Sequence, residues 1–146
     1  MNGALTNVLI LTHVMATAYA GPYVGQPLYC DRGDGLIYDQ DTTPWVALDI
    51  TEYQSGRAQC GDQILVTFAD GATLRAQALD AGPLYPYYIA ETNLPIAVDI
   101  PAHLFPQPGI SAPVTVINAS GVQRTIERQT LDQVVGAVRE RPKRGQ

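Results

Sequence analysis

The strongest constraint in this chain is a hairpin near its middle. Ile64-Leu65-Val66-Thr67-Phe68 alternates, with Ile64, Val66 and Phe68 on one face at a period of two. Asp70-Gly71 follows, and a glycine there accepts positive φ without a Cβ clash. Thr73 to Leu79 then alternates again, with Leu74, Ala76 and Ala78 on one side. Two antiparallel strands joined by a tight turn leave one apolar face, and that face has to be covered by further strands or by a helix.

The rest of the chain offers mostly strands to cover it. Trp45 to Ile50 suits a short strand, Ile96 to Ile100 is a short apolar segment with Asp99 inside it, and Val114 to Ile117 and Val122 to Ile126 read as a final pair around Asn118-Ala119-Ser120-Gly121. Gly56 to Gly61 is a turn region, Ala102 to Phe105 suits one helical turn, and Asp80-Ala81-Gly82-Pro83 is expected to break the second strand of the hairpin. Gly21 to Thr43, rich in Gly, Pro, Asp and Tyr, reads as a long loop. Thirteen glycines and eleven prolines favour such a loop-rich all-β fold over a helical bundle. A helix is expected only at the end, where Thr130 and Gln133 have capping-box spacing and Leu131, Val134, Val135 and Val138 form an apolar stripe. Pro142 ends it, and Arg139, Arg141, Lys143 and Arg144 make a basic tail suited to the dipole at a helix C-terminus.

At 146 residues the chain is the size of one domain. Its formal net charge of −5 gives no counterion-release energy on DNA or RNA, so nucleic acid is not an expected partner. Val8 to Val14 is apolar but too short to span a bilayer. Ala18-Tyr19-Ala20 has the small-x-small form of a signal-peptidase site, yet Met1 to Thr12 carries no Lys or Arg. Two readings stand: a weak or truncated signal segment over residues 1–15, or a first strand over Ala16 to Ala20. The expected division is a barrel over 16–120, with a strand, helix and basic tail over 121–146. The two cysteines, Cys30 and Cys60, match no zinc pattern. In an oxidising compartment they form one disulfide, and in the cytosol they are two buried thiols.

Several short pieces occur in a particular order. Ala16-Thr17-Ala18-Tyr19-Ala20-Gly21 is followed by Trp45-Val46-Ala47-Leu48 and Cys60-Gly61-Asp62. Asp80-Ala81-Gly82-Pro83 and Ala97-Val98-Asp99-Ile100-Pro101 come next. Over residues 16–117 this resembles the double-psi β-barrel family that includes rare lipoprotein A, expansins, barwin and family 45 endoglucanases, and is nearest to the rare lipoprotein A type. Related lytic transglycosylases place an acid on the strand corresponding to Asp99. The chain departs from the family pattern at Ala81, where an Arg is usual, at Val46-Ala47-Leu48, which lacks the family's His, and at Asp99-Ile100-Pro101 in place of Asp-Leu-Ser. The resemblance implies a six-stranded double-psi β-barrel with a short C-terminal helix. It also implies a secreted or periplasmic location and a monomer acting on peptidoglycan or another cell-wall polysaccharide.

The chemistry expected of the residues follows. Glycoside cleavage needs a carboxylic acid whose pKa is raised toward working pH. Asp99, set among Ile96, Ala97, Val98 and Ile100, has the apolar surroundings for this, and Asp80 is expected to assist it. Asp80 beside Gly-Pro equally suits a structural role, its carboxylate accepting backbone N–H groups in a turn. Tyr19, Trp45, Tyr85, Tyr87 and Tyr88 are candidate sugar-stacking groups, although each also suits plain packing. His103, four residues after Asp99, is either a partner of that acid or a surface residue. No phosphate-binding loop or dinucleotide fingerprint occurs, so no cofactor and no metal are expected. The expected activity is therefore lytic transglycosylase-type cleavage. The alternatives are a non-catalytic polysaccharide-binding or wall-loosening module like the expansins, or a virion or surface structural component.

Overall fold

The computed structural model describes residues 8–19, 25–36 and 44–140, with side chains described to Thr130. Seven strands form in chain order: β1 (Ile10–Tyr19), β2 (Trp45–Asp49), β3 (Gln63–Phe68), β4 (Thr73–Gly82), β5 (Tyr88–Ile89), β6 (Leu94–Pro101) and β7 (Ser111–Asn118). One helical segment, α1 (Ile50–Gln54), follows β2, and a longer helix, α2 (Ala119–Glu140), follows β7. The hairpin forms as expected. Gly71 has φ 91°, and Asp70 accepts the Ala72 N–H at 2.9 Å across the turn.

Pairing runs β1-β7-β3-β4-β2-β6, and a further β6–β1 pairing closes the six strands into a barrel. β5 lies outside the ring, paired with the start of β6. Two of the six pairings, β1 with β6 and β2 with β4, are parallel. The consecutive strands β6 and β7 run antiparallel on either side of β1. The successive barrel strands β4 and β6 likewise flank β2. Each of these is a psi arrangement, so the barrel contains two. Closure leaves no unpaired edge in the ring.

Inside the ring, alternate residues of each strand fill a continuous core. Leu48, Ile64, Val66, Val98, Ile100 and Val116 are all fully buried there. Leu9, Val14 and Ala16 belong to the same core, so the apolar run from Val8 to Val14 is built into the barrel and the first strand begins at Ile10 rather than Ala16. A second, smaller cluster sits on the outer face of β2, where Leu28 and Trp45 pack with Tyr19, Leu36 and Leu79.

Three expectations are corrected. Val122 to Ile126 is helical, not a strand, because β7 is already paired on both edges and the closed ring has no place for another strand. Asn118 is the helix cap, its Oδ1 accepting the Gly121 N–H at 2.9 Å. α2 therefore starts eleven residues before Thr130, whose hydroxyl bonds back to the Ile126 carbonyl in mid-helix. Finally, Asp80-Ala81-Gly82 continues β4 instead of breaking it. The Leu131 to Val138 stripe lies beyond the described side chains, and the tail residues Arg141, Lys143 and Arg144 lie outside the described residues, as do Ala20 to Val24 and Ile37 to Thr43 of the first strand and loop.

Asn118 ties barrel to helix. Its Nδ2 donates to the Arg57 carbonyl at 2.8 Å and to Asp62 Oδ2 at 2.7 Å, while Arg124 of α2 grips both oxygens of Asp62. Asn118→Ala removes a cap and the hydrogen bonds to the Arg57 carbonyl and Asp62, so it is expected to cost about 2–4 kcal/mol in urea unfolding, with the denaturant slope unchanged.

Candidate functional site

Register brings Asp80 and Asp99 to one level of the barrel. On β2, Ala47 pairs with Asp80 of β4 on one side and with Asp99 of β6 on the other. Asp99 in turn pairs with Thr17 of β1, and Thr17 with Ser111 of β7. Two strand spacings put the Asp80 and Asp99 backbones about 10 Å apart, with only a methyl group between them. Lateral partners in a sheet share a face. Trp45, Ala47 and Asp49 alternate with the core residues Val46 and Leu48, so this face is the outer one.

A β-bulge puts Asp80 on that face. Strict alternation from the core residues Ala76 and Ala78 would turn Asp80 inward. The register slips by one residue between Val46 and Ala47, leaving Leu79 as the extra residue and bringing Asp80 opposite Ala47. A matching slip in the β1–β6 pairing makes Ala97 the extra residue.

The two acids differ sharply in their surroundings. Both Asp80 oxygens are engaged: Oδ2 accepts the Tyr19 hydroxyl at 2.8 Å and Oδ1 the Tyr29 N–H at 2.9 Å. The Tyr53 hydroxyl bonds the Asp80 carbonyl at 2.7 Å. Asp99 is half-buried, and among the described residues its one side-chain donor is Thr17 Oγ1 at 2.9 Å. Burial pushes the Asp99 carboxyl up to about 7. The negative charge of Asp80 adds to this rise, and the Thr17 and Ile100 hydrogen bonds oppose it.

Two neighbouring acids show what full solvation by the protein does instead. Asp49 is buried, and burial alone would raise it. Hydrogen bonds from Thr51 and from the Tyr85 and Leu84 N–H groups outweigh that and hold it below the usual carboxylate range. Asp62 is held low in the same way, its burial outweighed by Arg124, Asn118 and the Gln59 N–H. Both acids therefore hold structure together.

The aromatic candidates divide. Trp45 is 2% exposed, and its indole meets Tyr19 edge-on at 5.5 Å, so it is packed in the outer cluster with no face open for a sugar. Tyr19 is half-buried and serves as a donor to Asp80. Tyr85 packs against the main core with its hydroxyl on the buried Glu52 carboxylate, which Arg57 also contacts. Burial and Glu52 both push the Tyr85 phenol up. Tyr87 and Tyr88 are 59% and 63% exposed, beside the start of β6. His103 is exposed on a 3₁₀ turn (Ala102–Leu104) that follows β6. Among the described residues, no His, Cys, Asp or Glu side chains cluster in a way that could hold a metal ion.

Sequence reasoning passed over Tyr29, Tyr53 and Glu52. Each was one more polar or aromatic residue in a loop or short helix, and only the folded contacts give it a role. Cys30 and Cys60 are joined in a disulfide with Cα atoms 5.7 Å apart. It fastens the loop carrying Tyr29 to the turn before β3, and Cys30 N–H bonds the Leu79 carbonyl at 3.0 Å, at the bulge itself. No protein-family model matches this chain, and no curated protein matches it in sequence.

The raised Asp99 pKa gives a pH signature. The folded state keeps this proton up to about pH 7, whereas an unfolded Asp releases it near pH 4. Its contribution to stability is thus fully present below about pH 4 and is lost as pH rises through 7. Asp99→Asn is expected to remove that slope and to be more stable than the parent above pH 7 by about 1–3 kcal/mol. Denaturant unfolding at pH 4, 6 and 8 checks this, and equal slopes for the two proteins would contradict it.

Proposed function

We propose that this protein is an exported glycan-cleaving protein of the lytic transglycosylase type, acting on peptidoglycan or a similar cell-wall polysaccharide. The observation that carries the reading is one weakly hydrogen-bonded acid, pushed up to about 7, on an outer barrel face beside an acid already fully engaged. A hydrolase of the inverting kind needs two working carboxyls, one of them free to activate water. Asp80, with a donor on each oxygen, fits that task poorly and fits a positioning role well. Asp99 alone suffices for the lytic route. It gives its proton to the glycosidic oxygen as the bond to the anomeric carbon breaks, and takes one back from the sugar's 6-hydroxyl as that oxygen closes on the same carbon. An anhydro-sugar end results and no water is consumed.

The order of short motifs resembling rare lipoprotein A supports the glycan substrate, and the two psi arrangements are consistent with that family. The Cys30–Cys60 disulfide supports an oxidising location, secreted or periplasmic. A second reading, a binding or wall-loosening module without cleavage, draws on the exposed Tyr87 and Tyr88 pair, whose rings offer faces for sugars.

Purified sacculi separate the two. Cleavage releases soluble anhydro-sugar fragments, fastest at and below neutral pH where Asp99 holds its proton. Asp99→Asn is expected to lower release at least about a hundredfold while still pelleting with the sacculi. Pelleting without release by the unaltered protein would leave the binding module. Release undiminished in Asp99→Asn would remove Asp99 from the chemistry.

A further inference from the structure

A cleft of about 490 Å³ opens next to the acidic row, lined by Tyr29, Arg32, Tyr53, Ala58, Gln59 and Cys60. We propose that it is a subsite for an acidic sugar, a saccharide ring bearing a carboxylate, continuous with the Asp80–Asp99 face. The proposal rests on the glycan reading for the rest of the ligand.

Four features support it. Tyr29 is 48% exposed and lies 5.1 Å from the Tyr53 ring in a tilted pair, which leaves an aromatic surface open for a sugar face. Arg32 is exposed, and among the described residues its guanidinium is in no salt bridge, so it presents a planar donor fork matched to a carboxylate. The neighbouring Asp31 and Asp34 carboxylates are hydrogen-bonded to the loop's own backbone. Asp31 accepts the Gly33 and Leu36 N–H groups, and Asp34 accepts the Arg32 backbone N–H.

The third feature is rigidity. The disulfide joins the two walls, and the Gly61 N–H bonds the Ala78 carbonyl at 2.9 Å, which fixes the far wall to β4. A site held this way loses little ordering entropy when it binds. The fourth is continuity. Tyr29 and Tyr53 line the cleft, and the Tyr29 N–H and Tyr53 hydroxyl both bond Asp80, so the cleft adjoins the Asp80 end of the acidic row.

Glucuronic acid, glucose and acetate, none of which carries a glycosidic bond to cleave, are the probes, titrated into the unaltered protein with amide shifts of Tyr29 and Gln59 as the readout. Glucuronic acid is expected to shift both in a saturable way, more tightly than glucose, and acetate only weakly. Arg32→Gln should weaken glucuronic acid about tenfold, to the level of glucose. Tyr29→Ala, which keeps the backbone N–H on Asp80, should weaken both sugars. Unmoved Tyr29 and Gln59 signals, or glucuronic acid affinity unchanged in Arg32→Gln, would overturn the subsite. Acetate binding as tightly as glucuronic acid would overturn its sugar class. Sacculus cleavage with these signals silent overturns only the subsite, and shifts without cleavage overturn only the lytic reading.

Discussion

The parallel pairing of β1 with β6 is the constraint on which the rest depends. It closes the ring, so the core is sealed and the six barrel strands have no unpaired edge. The same pairing sets Thr17 beside Asp99 and gives that acid its one side-chain donor among the described residues. Closure and the placing of this hydrogen bond are therefore one event. A strand joined anywhere else on the barrel would leave Asp99 without its hydroxyl partner and leave the interior open between β6 and β7.

Four acids on or near this face illustrate how burial and hydrogen bonding compete. Asp49 and Asp62 are the more deeply buried, yet they stay ionised because three or more donors replace the water they lose. Asp80 is held by donors on both oxygens. Asp99 has a single side-chain donor among the described residues, and burial raises its carboxyl to about 7. The N–H and O–H groups delivered to a carboxylate thus decide whether burial or hydrogen bonding sets the direction of its shift. The bulge at Leu79 is what makes the comparison local, since it turns Asp80 out to face the same side as Asp99, where its charge raises its neighbour.

The hairpin and the core faces of β3 and β4 were legible because period-two alternation is a direct consequence of strand geometry, and Asp70-Gly71 marks the turn by its backbone freedom. Asp99 was legible as an acid in an apolar run. The bulges were not. Alternation read through Ala76, Ala78 and Asp80 predicts the wrong face, and only the partner strand reveals the extra residue. Asn118-Ala119-Ser120-Gly121 misled for a related reason: the small polar residues that make turns also cap helices, and only the filled edges of β7 decide between them. Trp45, with the tyrosines, read as a candidate sugar-stacking group because an aromatic ring with a polar edge suits that role as well as it suits packing. The cluster with Leu28 and Tyr19 that covers it is assembled from segments remote in sequence.

The two readings of the N-terminus are not symmetrical once the barrel is known. Leu9 and Val14 are sealed in the core, and Thr17 and Tyr19 hold Asp99 and Asp80. A cut after Ala20 would remove the whole of β1. It would unpair β6 and β7 along one edge each, expose the core, and strip both acids of their hydroxyl donors in a single step. The residues Ala18 and Tyr19 of the small-x-small run therefore have a sufficient explanation in packing. Ala16 faces the core, Tyr19 must reach Asp80, and Ala18 gives its N–H to the Ile110 carbonyl at 2.9 Å. Among the described residues no other strand stands in that place, so Val8 to Tyr19 are part of the folded barrel.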